Sequence, residues 1–224
     1  MNSRESRRQV GFTIIEVMVV VAIIAVFTAL AVPSWRQYQA NLQLRAAVRT
    51  VANAFSYARA HALATGNRHV VVFSIDPNDV CGNAIEDAQT NPVPVLVFED
   101  LNGDCCYDAN ENRLTERAVA GVNWGVSPHP PGGLPPASPE DVGAGDYSTG
   151  SSFAEPDGSD AAWVSFGPDG IPLAFNAACN LGTTGTGAGA VYVTNGNRDY
   201  AVVLNPLGTA NVERFDPAQN QWEN

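Results

Sequence analysis

Between Asp100 and Glu111 the chain reads DLNGDCCYDANE, which spaces oxygen ligands as the calcium loop of an EF-hand does. Asp100, Asn102, Asp104, Asp108 and Glu111 fall at positions 1, 3, 5, 9 and 12, and position 7 offers the Cys106 carbonyl. A hard cation takes carboxylate and carbonyl oxygens, so the ion expected for this set is Ca2+. Two features depart from the pattern. Cys105 stands at position 6, where glycine makes the sharp turn, and the flanks read as strand instead of helix. Asp-rich turns also form without metal, and the sequence leaves both readings open.

Four cysteines, Cys81, Cys105, Cys106 and Cys179, offer a second chemistry. An oxidising compartment, which the topology argued below implies for them, favours disulfides. A vicinal Cys105–Cys106 bond would be strained, which leaves Cys81 with one of the adjacent pair and Cys179 with the other. The Cys-x-x-Cys spacing of a zinc centre is missing. His61, His69 and His129 have no Ser or Cys beside them in a nucleophile setting, so nothing indicates a hydrolase and the chain reads as non-enzymatic.

All twelve basic residues are arginines, against twenty-three acids, for a formal charge of −11. Without lysine there is neither a P-loop nor a Schiff base. The charge is segregated. Residues 17–69 hold five arginines and no acid, whereas residues 70–224 hold four arginines and 21 acids, a net of −17. A basic stem thus carries an acidic head, and such a head repels nucleic-acid phosphate. Hydrophobic residues, 45% of the chain, are spread along its length, which supplies a core and excludes a disordered chain.

The stem begins in an apolar run, FTIIEVMVVVAIIAVFTALAV, from Phe12 to Val32. As a helix it is about 31 Å long, against a hydrocarbon core of about 30 Å. Arg4, Arg7 and Arg8 precede it, which predicts a cytoplasmic N-terminus and a head on the far side. A secretory signal would end in a small-residue cleavage site and hold no acid. A plain anchor would avoid Glu16, because a carboxylate in lipid is costly. Glu16 therefore needs a partner.

The string RRQVGFTIIEVMVVVAIIAVFTALAVPSW resembles the class III leader and first helix of type IV pilins and type II secretion pseudopilins. The matching features are a basic leader ending in Gly11, then Phe12-Thr13, Glu16, and an unbroken apolar run to Pro33. The resemblance implies that residues 1–11 are a leader, cut between Gly11 and Phe12 by a prepilin peptidase, and that Phe12 is then N-methylated. It implies that residues 12–33 are a transmembrane and assembly helix in the bacterial inner membrane, with the head in the periplasm and later in a filament. There the Glu16 carboxylate of one subunit pairs with the Phe12 amine of its neighbour, a pair that sets register more than it adds stability. Implied partners are other major and minor pilins or pseudopilins and the inner-membrane assembly platform.

Pro33 should bend the helix, after which the pattern resumes. Leu44, Val48, Val51, Phe55, Ala58 and Ala62 recur at helical spacing, an apolar stripe that should pack on the head's own sheet, with Thr65-Gly66-Asn67 closing the helix. Residues 34–66 thus form an amphipathic stem, and residues 67–224 a β-rich head. Strands are expected at 69–75, 93–98, 117–122, 161–166, 173–176, 190–194, 200–204 and 211–215, with loop insertions at about 76–92, 125–160 and 178–190. The fold class is α+β, a long N-terminal helix packed on antiparallel sheet. The stretch from Asn41 to Ser74, with Ala58-Arg59 and Ala62 before the first strand, is similar to the H-type minor pseudopilins and FimT/FimU-like minor pilins, the GspH/FimT family. That resemblance implies a filament subunit helping to prime assembly, in a type IV pilus or a type II secretion pseudopilus; the alternative is a DNA-uptake or adhesive minor pilin whose head binds a ligand. DNA-binding relatives carry a Gly-Arg-x-Arg motif near the C-terminus, where this chain has Leu207-Gly208-Thr209-Ala210-Asn211 and Arg214 alone beyond. By that route nucleic acid is not expected as a partner.

Overall fold

The computed structural model describes residues 12–87, 91–116, 121–130, 132–143 and 145–224. The leader 1–11, with Gly11, and residues 117–120 of the expected strand at 117–122 lie outside them. The chain divides into two compact units, Met1–Gln39 and Ala40–Asn224, both of which share helix α1 (Ile14–Thr65).

In the first unit, the described side chains from Phe12 to Val32 are exposed, and this part of α1 is long and apolar enough to cross a membrane. The helix starts with a side-chain cap: Thr13 Oγ1 accepts the Glu16 N–H at 3.3 Å, half of a capping box. Helical structure continues through Pro33, which frees the Ala29 carbonyl from its usual donor.

Among the described residues the second unit holds ten strands in two five-stranded antiparallel sheets, where sequence suggested a sheet without dividing it. Sheet one has the order β3-β2-β1-β5-β6, from β1 (Arg68–Phe73), β2 (Val95–Asp100), β3 (Arg113–Glu116), β5 (Trp163–Phe166) and β6 (Pro172–Leu173). Sheet two runs β10-β9-β8-β7-β4, from β4 (Asn123–Trp124), β7 (Gly189–Thr194), β8 (Asp199–Leu204), β9 (Ala210–Asp216) and β10 (Gln221–Glu223). Leu44, Val48, Val51, Phe55, Ala58 and Ala62 are all buried between the sheets, against Val71, Phe73, Val95 and Val97 of the first and Val191, Val193 and Val202 of the second. Phe55 sits at the centre, edge-on to Phe73 at 5.5 Å and to Phe153 at 5.9 Å. The helix stops where Gly66 takes φ +75°, its N–H returning to the Ala62 carbonyl.

Both sheets are also covered on their far faces. Val70, Val72, Leu96 and Phe98 meet Ile85, Val93, Cys105 and Phe175 from three loops. Ala190, Tyr192, Ala201 and Val203 meet Phe215, Trp222, Val126 and Tyr147. Burial on both faces accounts for the continuous apolar runs of β1, β7 and β8, which do not alternate.

Candidate functional site

Glu16 is exposed on the first turn of α1, four residues beyond Phe12, which is 83% exposed. Among the described residues its carboxylate has no ion-pair partner.

The acidic loop leaves β2 through buried Asp100 and turns on two left-handed residues, Gly103 at φ +80° and Cys105 at φ +61°. Its oxygens find partners inside the protein. Asp100 accepts from Arg68 at 3.0 Å and from the backbone N–H groups of Gly103 and Cys105. Asn102 Nδ2 donates to Asp104 and Asp108, at 2.9 Å each, and so stands between the two carboxylates. Glu111 accepts the N–H groups of Leu101 at 2.8 Å and Asp108 at 3.0 Å, while burial pushes its carboxyl above the usual range. A calcium ion needs several of these oxygens aimed at one point. Among the described residues, the acid, His or Cys donors that come within 4.8 Å of one another in a set of three are Asp100, Cys105 and Cys179, two of them disulfide sulfurs. Within this turn Arg68 supplies positive charge to Asp100, and Asn102 supplies donors to Asp104 and Asp108.

Cys81 is bonded to Cys106, and Cys105 to Cys179, with Cα separations of 5.7 Å and 5.5 Å. Together they tie the acidic loop to the 74–94 loop on one side and the 174–188 loop on the other, across the far face of sheet one.

Two polar clusters escaped the sequence reading. At the second sheet, Tyr192, Ala201 and Glu213 lie in one row across β7, β8 and β9, and small Ala201 leaves room above it. The loop residues Ser138 and Asp141 fill that room. Ser138 Oγ donates to Glu213, the Ser138 N–H donates to Tyr192 Oη at 2.9 Å, and Tyr192 donates on to Asp141 at 3.0 Å. Burial, with Glu140 and Asp141 nearby, pushes Glu213 up to about 7. On the same loop His129 pairs with fully buried Asp199. At the first sheet, His61, His69 and Glu99 line one cavity. Burial holds His69 below its usual value, and hydrogen bonds from Asn67 and Asn112 hold Glu99 below its own. No sequence motif marks either cluster, because strand register and loop return assemble them.

Residues 6–32 match the prokaryotic N-terminal methylation motif. Two fimbrial proteins of Pseudomonas aeruginosa are each 40% identical to this chain over 73 residues, 33% of this chain and 46% of theirs. The chain thus aligns with about half the length of those curated relatives. No solved structure matches it. The motif and the fimbrial similarity support the type IV pilin superfamily, and the long helix with antiparallel sheets is of the α+β class.

Proposed function

We propose that the chain is a non-enzymatic minor pilin or pseudopilin of the GspH/FimT kind. It is cut between Gly11 and Phe12 by a prepilin peptidase, N-methylated on Phe12, and held in the bacterial inner membrane with its head in the periplasm. It then joins a type IV pilus or a type II secretion pseudopilus and helps to prime assembly with other pilins on the inner-membrane platform. The observation that carries this reading is the methylation motif over residues 6–32, continuing into a helix whose apolar side chains are exposed. Two disulfides in the head suit an oxidising compartment and support the topology. The exposed Glu16 supports a register pair with the Phe12 amine of a neighbour.

Mass spectrometry of the protein from membranes tests the first step. The mature N-terminus is expected to be methylated Phe12, Gly11→Leu to leave a full-length precursor, and Glu16→Ala to be processed normally yet join filaments poorly. A mature terminus elsewhere would falsify the leader assignment.

A further inference from the structure

Along α1, Asn41, Arg45, Arg49, Ala52, Ser56 and Arg59 recur at steps of four and three, so they share one side of the helix, beside its buried stripe. Two contacts fix where that side lies. At one end Asn41 accepts from Asn195 of the β7–β8 turn at 3.2 Å. At the other Arg59 donates to the Gly208 carbonyl of the β8–β9 turn at 3.1 Å. The side therefore runs along β8 and looks out over β9.

The helix leaves the inner face of β9 uncovered. Tyr200 and Val202 of β8 are buried against α1, whereas their partners across the ladder, Arg214 and Val212, are exposed. A shallow apolar strip of Ala52 and Val212 is thus edged by Arg45 and Arg49 on the helix and Arg214 on the strand. Arg214 is matched by Glu223 at 2.8 Å. Arg45 and Arg49 are exposed and have no ion-pair or hydrogen-bond partner among the described residues. Like charges one helical turn apart cost the helix a little stability, so this pair looks for its counter-charge outside the chain.

The head also carries the complementary element. Residues 154–160 form a hairpin closed by the Ala154–Asp160 bridge and turned at Gly158, φ +91°. Its tip holds Glu155, Asp157 and Asp160, none with an ion-pair partner among the described residues. Burial, with Asp157 beside it, pushes the Glu155 carboxyl above its usual value. Phe153, just before the hairpin, lies in the core edge-on to Phe55, so the tip stands on a fixed base.

We propose that the face between α1 and β9 receives the acidic 154–160 hairpin of a second copy of this chain. Arginine forks suit carboxylates, and the tip brings three of them to one point while the rest of the two acidic heads stay apart. A nucleic acid presents a long row of phosphates and calls for a matching row of cations, whereas here two free arginines are bordered by Glu223. Face and hairpin are different surfaces, so the contact is heterologous: each copy offers both, and copies add head to tail instead of closing a two-fold dimer. It lies between heads, separate from the Glu16 pair of the filament reading, and the two stand or fall independently.

The test follows the full-length chain, disulfides oxidised, by sedimentation velocity in nonionic detergent. Wild type should self-associate at low ionic strength and dissociate at high, because exposed charges are screened by salt. Arg45→Glu with Arg49→Glu, and separately Glu155→Arg with Asp160→Arg, should melt with wild type and each weaken self-association at least about tenfold. Mixed together the two variants should associate again, since the acidic helix face of one meets the basic hairpin of the other; a folding defect is not repaired by mixing. Glu16→Ala should leave the association unchanged. Wild type that stays monomeric at low salt, variants that do not restore each other, or loss of association in Glu16→Ala would overturn the proposal. So would binding of labelled single-stranded DNA that Arg45→Glu with Arg49→Glu removes.

Discussion

Glu213 sits in the middle of β9, 3% exposed, on the face that carries Phe215 and Trp222. Its carboxyl faces Ser138 and lies close to Glu140 and Asp141, three residues of the loop that closes over sheet two. An ionised Glu213 is therefore desolvated and set beside two other carboxylates. Its pKa, raised to about 7 from 4.5, makes the folded chain hold a proton that the unfolded chain has released. The sign follows directly: stability from this group is complete below about 4.5, declines as pH rises, and is lost above about 7. The full difference is about 3 kcal/mol. Glu213→Gln keeps the size and the hydrogen bond to Ser138 but cannot ionise. At pH 8 it should melt higher than wild type by roughly 6–12 °C, at about 2–4 °C per kcal/mol for a unit of this size. At pH 5 the two should nearly coincide. His69, lowered by burial, pulls in the opposite direction below about 6.5, but it is common to both proteins and cancels in the comparison. Thermal melts of the full chain in one detergent at the two pH values read this out. A variant no more stable than wild type at pH 8 would refute the reasoning, since Glu213 would then have been accommodated as a charge.

Three further outcomes concern the far face of sheet one. Non-reducing peptide mapping should recover Cys81 linked to Cys106 and Cys105 linked to Cys179, and four alkylatable thiols in native protein would contradict the structure. Removing the second bridge with the double change Cys105→Ala and Cys179→Ala frees a loop 74 residues long and should lower stability by about 4 kcal/mol, measured by urea denaturation. The full chain should melt at the same temperature in millimolar Ca2+ as in chelator; a rise that Asp104→Ala abolishes would show that the ion displaces Asn102 from between Asp104 and Asp108.

Period-based features were the legible part of this fold. The six-residue stripe from Leu44 to Ala62 is buried as its spacing requires, because one helix face meets one core whatever the sheets do around it. Strands with both faces covered could be placed but not assigned to sheets: VVVF in β1 and AVVL in β8 look alike and lie in different sheets. Strand edges shifted where loops decided them, as at β2, which begins at Val95 and runs on to Asp100 because β1 offers Arg68 as its partner. The last strand, Gln221–Glu223, was missed altogether. It is short and polar, and only Trp222, whose indole donates to the Pro136 carbonyl at 2.8 Å, binds it to the loop beyond.

The acidic loop shows why spacing alone leaves chemistry open. Asp and Asn recur every second residue in a calcium loop because alternate side chains must point inward, and a tight metal-free turn asks for the same spacing. There each side-chain oxygen accepts an N–H about two residues ahead, as Asn102 does from Asp104 and Asp104 from Cys106. What separates the cases is the source of the neutralising charge, and a local sequence window cannot contain it. Here it is Arg68, 32 residues upstream of Asp100 and brought opposite it by the β1–β2 register. The two disulfides then fix Cys105 and Cys106 on opposite neighbours, so Cys105 can hold a positive φ at the place where an ion-binding loop needs glycine. The same register that positions Arg68 opposite Asp100 puts His69 opposite Glu99, on the other side of the sheet. One strand pairing thus supplies a cation to the acidic loop on one face and sets His69 across from Glu99 on the other.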